Sequence, residues 1–157
     1  MTTNTESTAP KSADRELHMT RTIDAPREVV WLAWTDPAHL VQWFGPAGCT
    51  LIAPEFDVRP GGAYRCGYIF DGGEFRLRGV YREIAPPERL VFTHGWENEA
   101  GEVDHDTIVT VTFIEQGGKT TFTFHQALFA STESRDSHGE GWGEAFDRLE
   151  ELLGALR

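Results

Sequence analysis

The sequence predicts an α+β domain in which an antiparallel sheet lays its one apolar face on a single long C-terminal helix. Short runs rich in Val, Ile, Thr, Tyr and Phe recur about every ten residues between Cys49 and Ala127, separated by turn signals. In IVTVTF, Val109, Val111 and Phe113 share one strand face, and in TFTFHQ, Phe122, Phe124 and Gln126 do. The closing stretch GWGEAFDRLEELLGALR places Trp142, Phe146, Leu149, Leu153 and Leu156 at steps of 4, 3, 4 and 3, the stripe of one amphipathic helix.

The elements follow in order. Residues 1–15 are rich in Thr, Ser, Asn and Glu, and are expected to form a disordered tail ahead of a single domain over residues 16–157. Leu17 to Asp24 reads as a first strand. IDAPREVVWLAWTDPAHLVQWFG reads as two short helices in series, opened by Asp24 with Pro26 and by Asp36 with Pro37, since a side-chain acceptor and a residue without an N–H suit a helix start. Val30, Ala33 and Trp34 form the apolar face of the first, and Leu40, Trp43 and Phe44 that of the second, which Gly45-Pro46 stops. Of the two adjacent rings at this corner, Phe44 is expected to plug the core and Trp43 to form the lip of a pocket.

Turn signals at RPGG, FDGGEF, APPERL, ENEAGE and EQGGK divide the next stretch into six strands. Connections this short make them antiparallel neighbours, because a parallel crossover needs about a dozen residues or more. EFRLRGVYR separates Phe75, Leu77, Gly79 and Tyr81 from Arg76, Arg78, Val80 and Arg82. With the first strand, the order is β-α-α-β6-α: seven strands whose apolar face must cover the final helix.

Composition narrows the function. With 39% hydrophobic residues, five Trp and ten Phe in 157 residues, the aromatics exceed what a small core requires and are expected to line a cavity. A net charge of −11 repels phosphate backbones and anionic headgroups, so nucleic acid and membrane are excluded as partners. No apolar run approaches the roughly 20 residues of a membrane span, and the N-terminus lacks a basic start and apolar run, which points to a cytosolic protein. Cys49 and Cys66, in separate predicted strands, read as packed thiols rather than a disulfide.

Strand parity nominates the ligand-facing residues. Tyr64, Cys66, Tyr68 and Phe70 share one face, as do Leu90, Phe92, His94 and Trp96. The candidate binding set is Trp43, Tyr64, Tyr68, His94, Trp96, Phe113, Gln126 and Trp142, apolar walls with a few polar tips. His94 is the weak candidate for acid/base catalysis, with a polar anchor as the plainer alternative. The six histidines show no HxxxH or HxH spacing, so no metal is expected, and no cofactor motif is present. Arg76, Arg78 and Arg82 are expected to form cross-strand ion pairs, and Cys66 to be inert because apolar neighbours raise a thiol's pKa.

The motifs APREVVWLAWTDP with LVQWFGP, DVRPGGAYR, the DGG turn with RGVYREIAPPERLVFT, the VTVTF strand, and GW followed by FDRLEELL together resemble the SRPBCC superfamily. Within it, the chain is similar to the family related to the C-terminal domain of the Hsp90 ATPase activator Aha1, over about residues 17–156. The resemblance implies the START/Bet v 1-like helix-grip fold, with a deep cavity between sheet and helix closed at one end by the two short helices. It implies no single activity. The leading expectation is a module that encloses a small hydrophobic or aromatic molecule without covalent catalysis. A second is a polyketide cyclase/aromatase-like or hydrolase-like enzyme using the same cavity, and a third is interaction with an Hsp90-type chaperone.

Overall fold

In a computed structural model that describes residues 12–45 and 50–156, the chain forms one seven-stranded sheet and three helices. The strands are β1 (Leu17–Ile23), β2 (Thr50–Phe56), β3 (Ala63–Phe70), β4 (Gly73–Ala85), β5 (Arg89–Trp96), β6 (Thr107–Gln116) and β7 (Lys119–Ala127). Helices α1 (Arg27–Thr35) and α2 (Pro37–Trp43) connect β1 to β2, and α3 (Thr132–Leu156) ends the chain. The strand order β1-β7-β6-β5-β4-β3-β2 is antiparallel throughout. Six consecutive strands form a meander and β1 closes beside the last, the helix-grip arrangement expected. No helix among the described residues is long and apolar enough to cross a membrane.

Local chemistry explains the boundaries. The two-residue turns Asp71-Gly72 and Gly117-Gly118 have positive φ at both positions (51° and 77°, 60° and 79°), the geometry whose twist matches that of flanking strands. Asp36 does double duty: its N–H closes α1 on the Leu32 carbonyl, and its carboxylate accepts from Ala38 N at 3.0 Å to open α2. The start of α1 departs from expectation, because the Glu115 carboxylate, rather than Asp24, accepts from Arg27 N at 2.7 Å. Helix α3 opens at Thr132, ahead of the predicted Gly141, with Ser131 Oγ accepting from Ser134 N at 3.0 Å. Glycines at 139, 141 and 143 mask this first part of the helix in the sequence. Ser12–Arg15, expected in the tail, form a 3-10 turn, and the Arg15 carbonyl accepts from Phe129 N. Residues 1–11 lie outside the described residues.

The interior is built of rings. Trp34 packs against Trp43 at 4.7 Å, Phe122 at 5.5 Å and Phe146 at 5.8 Å between centroids, and Phe113 closes the far end against Trp31 at 5.4 Å. Full burial of a ring such as Phe stabilises by roughly 1.5–3 kcal/mol. At the rim, Arg21 clamps β1 to α3, donating to Asp147 at 2.9 Å and to Glu150 at 2.5 Å. Trp43 belongs to this core, with no exposed surface and Nε1–H donated to the Ala33 carbonyl at 2.8 Å. Trp43, expected at the lip, is therefore a plug; Phe44 is buried in the core as expected, and it also reaches a cavity.

On the outer face, Arg76 pairs with Glu74, and Arg65 forks onto Glu97 at 2.6 and 2.9 Å. Arg65, then Arg78 and Arg76, hold the Glu97 carboxyl below its ordinary range. The cross-strand pairs expected of Arg76, Arg78 and Arg82 do not form among the described residues: Arg76 pairs along its own strand, and the cross-strand pair with Glu97 belongs to Arg65.

The β4–β5 ladder is interrupted between the pairs Arg78↔Gly95 and Tyr81↔Phe92. Two hydroxyls fill the gap: Thr93 Oγ1 accepts from Val80 N, and Tyr64 donates to the Thr93 carbonyl, both at 2.8 Å. A Cβ at Gly79 would sit 1.9 Å from that carbonyl oxygen and 2.4 Å from the Tyr64 ring. Gly79→Ala is expected to destabilise by about 1–3 kcal/mol or more in urea unfolding. The control Gly154→Ala, where nothing lies within 4 Å on α3, should be neutral or stabilising by up to about 1 kcal/mol.

Candidate functional site

A largely apolar cavity of about 200 Å3, open to solvent on one side, lies between β3, β4, β5 and the first half of α3. Phe44 and Gly45 cover one side; Tyr68, Leu77, His94 and Trp96 come from the sheet; Ser137, His138, Gly141, Trp142 and Ala145 come from the helix. Gly45 has φ +104°, and a Cβ there would sit 2.5 Å from the Tyr68 ring, so only glycine lets this ring form the wall. No Asp, Glu, Lys or Arg lines the cavity among the described residues. A larger hollow of about 1,070 Å3 opens on the outer sheet face, lined by Arg65, Arg78, Glu55, Asp57, Glu102, Asp104 and Asp106. Phe56, Ala63, Tyr64, Val80 and Val103 stand among these charges, and the hollow is broad-mouthed, a solvated groove rather than a closed pocket.

Of the predicted binding residues, Tyr68, His94, Trp96 and Trp142 meet at the cavity. Trp43, Tyr64, Phe113 and Gln126 do not line it, although the three strand residues among them face inward as parity requires. Phe113 lies too far along β6, among Trp31, Trp34 and Phe122. Tyr64 is packed by Phe44, Phe56 and Phe92. Gln126 stands behind the wall and orients it. Its Oε1 accepts from Trp142 Nε1 at 2.8 Å, its Nε2 donates to Thr107 Oγ1 at 2.8 Å, and the Thr107 hydroxyl donates to the His94 carbonyl at 2.8 Å. This satisfied neutral chain ties the Trp142 ring to the His94 backbone without placing a charge in the core.

Two histidines of the wall meet edge to face, with centroids 5.6 Å apart. His138 is fixed as a neutral tautomer: Nδ1–H donates to the Ser134 carbonyl at 2.7 Å, and Nε2 accepts from Trp96 Nε1 at 2.9 Å. Burial lowers its pKa, against the opposing effect of the Ser134 bond. His94 is buried more deeply. Desolvation, reinforced by His138, pushes its pKa down to about 3, and Nδ1 lies buried with no hydrogen-bond partner beyond its own main chain. At neutral pH, His94 is thus an uncharged hydrogen-bonding group and a weak base. Cys66, beneath Tyr68, has its pKa raised to about 12 by burial, an inert thiol as expected; Cys49 lies outside the described residues.

Sequence reading missed Phe44, Ser137, His138, Gly141 and Ala145. The helical signal was present: Ser134, His138, Trp142 and Ala145 fall at steps of 4, 4 and 3, continuous with the stripe from Trp142.

The unfolded chain binds a proton at a histidine near pH 6.5, whereas folded His94 binds one only near 3. Between these values the unfolded state holds the extra proton, so stability present above 6.5 is lost as pH falls, by up to about 1.4 kcal/mol per unit. His94→Leu should give a shallower fall in unfolding free energy through this window than wild type in urea melts at stepped pH; equal slopes would show that His94 stays protonated in the fold.

The fold and site can be compared with known proteins. Residues 24–154 match the family model described as Activator of Hsp90 ATPase homolog 1-like protein, from the loop before α1 into the last turn of α3. No curated protein matches the chain. Among solved structures, a protein of Chromobacterium violaceum has a TM-score of 0.81 at 26% identity, covering 88% of this chain and 96% of that one. One of Nitrosomonas europaea gives 0.76 at 26% identity, with 95% and 100% covered. An AHSA1 protein of Silicibacter pomeroyi reaches 0.82 at 22% identity, covering 90% and 99%, a likeness of fold alone. This fold supports a ligand-binding type of domain. The extent of the family match and the shared architecture place this chain in the Activator of Hsp90 ATPase homolog 1-like family.

Proposed function

We propose that this protein binds a small, neutral, aromatic or hydrophobic molecule in the cavity between Phe44, Tyr68, His94, Trp96 and Trp142. The observation that carries the reading is the combination of ring-lined, largely apolar walls with His94, a deeply buried imidazole that sets a neutral polar group among them. A hydrogen bond from a ligand to a neutral group on such a wall contributes about 0.5–1.5 kcal/mol net. The volume of about 200 Å3 falls below the roughly 300–1,000 Å3 of drug-sized sites, so the ligand is compact. Trp96 and Trp142 would hold its ring, while His94 and the Tyr68 hydroxyl would orient its polar end.

The enzymatic alternative draws less support. A general base works best with a pKa near the operating pH, and His94 lies far below it with no carboxylate on the cavity wall. The chaperone reading draws its support from the family relationship alone.

Native mass spectrometry of the protein purified without denaturation, and titration with 1-naphthol followed by tryptophan fluorescence, test the proposal. Phe44→Ala and Trp96→Ala should weaken 1-naphthol binding about tenfold or more while the chain stays folded. Trp43→Ala should instead cost about 3–5 kcal/mol of stability, as ring deletion from a packed core does. Saturable binding that Phe44→Ala and Trp96→Ala leave unchanged would place the ligand elsewhere.

A further inference from the structure

The register of β1 against β7 sets His18 directly opposite His125 on the outer face of the sheet. The next outward pairs along this edge are Thr20↔Thr123 and Thr22↔Thr121, so the two imidazoles end a strip of hydroxyls. Glu16, one residue before β1, folds back over them. One of its carboxylate oxygens lies 2.8 Å from His125 Nε2 and 3.7 Å from His18 Nε2, and the imidazole centroids are 4.5 Å apart. One donor atom from each side chain falls within a mutual 4.8 Å.

We propose that Glu16, His18 and His125 form a binding site for a divalent transition-metal ion, Zn2+ in particular. Two neutral imidazoles and one carboxylate are a donor set suited to this borderline class, whereas Ca2+ and Mg2+ require oxygen-rich shells. With metal–ligand lengths of about 2.0–2.2 Å, tetrahedral donors stand about 3.3 Å apart, and the 2.8 and 3.7 Å separations bracket that figure. Small side-chain rotations would bring all three donors to one ion, with water completing the shell. The strand ladder positions both imidazoles in advance, so binding need order only the Glu16 side chain further. An exchangeable ion could enter from solvent, since β1 is an edge strand and the His18 side chain is 67% exposed. A chain of net charge −11 adds a field favouring cations. The site lies on the face of the sheet opposite the cavity and does not depend on what the cavity binds.

Tag-free, chelator-treated full chain titrated with ZnCl2 by calorimetry, and with Co2+ by visible absorption, tests this. One ion per chain is expected, with a nitrogen/oxygen Co2+ spectrum lacking thiolate charge transfer. His18→Ala and Glu16→Gln should each weaken Zn2+ at least about tenfold, with far-UV circular dichroism unchanged. The exposure of His18 keeps its loss from being read as unfolding. Absence of Zn2+ binding to the folded wild type, or binding that survives unchanged in His18→Ala, would overturn the proposal.

Discussion

Phe146 touches Trp34 on α1, Trp43 on α2, Phe122 and Phe124 on β7, and Trp142 one turn earlier on its own helix. A single ring thereby contacts every layer of the molecule, and the rest of the architecture follows from keeping it dry. Helix α3 must lie across the sheet at the height of β7, and the two short helices must cap that end. Arg21 then secures the rim, with its guanidinium 5.8 Å from the Phe146 ring centre and bonded to two helix carboxylates. The aromatic excess that suggested a deep cavity is spent largely on filling one. Rigid rings pack edge to face around Phe146, and the apolar space that remains lies towards the other half of α3, where Ser137, Gly141 and Ala145 are too small to fill it.

That remaining space is held open by polar chemistry as much as by shape. Trp142 could turn into the cavity, but its Nε1–H is committed to Gln126, which is itself anchored through Thr107 to the His94 carbonyl. Trp96 is fixed in the same way by His138, whose other nitrogen is engaged by its own helix. Both tryptophans of the wall are thus tethered at their one polar atom. A ring tethered there keeps its apolar face available, which is how an aromatic wall avoids collapsing onto itself.

Elements whose cause is local were legible in the sequence. The hairpins at Asp71-Gly72 and Gly117-Gly118 need residues tolerant of positive φ, so strand order could be read directly; parity held over much of the sheet, but Phe70 and Phe75, expected on the inner face, are exposed at the tip of the β3–β4 hairpin. The site was legible only in part, because facing inward differs from facing the cavity: Phe113, Tyr64 and Gln126 point inward at depths already occupied by other rings. The burial of Trp43 and the place of Phe44 on the cavity wall have a different origin. Phe44 is the cap residue, with ψ at 130°, so the helical period used to place it no longer applies. His138 was hidden by glycines within α3, and the pairing of His18 with His125, 107 positions away, depends on a strand register that spacing along the chain does not encode.

The electrostatics of the cavity bear on what it can hold. The chain carries a net charge of −11, whereas the cavity wall among the described residues carries no ionised group at neutral pH. An ion entering such a space would shed its hydration for a wall offering no opposing charge, at a cost of several kcal/mol. A neutral ring with one polar substituent pays no such penalty and meets two tryptophans, a phenylalanine and a histidine kept neutral by the same burial. The low pKa of His94 thus leaves the wall with an uncharged imidazole at neutral pH, suited to a directional hydrogen bond and poorly suited to proton exchange.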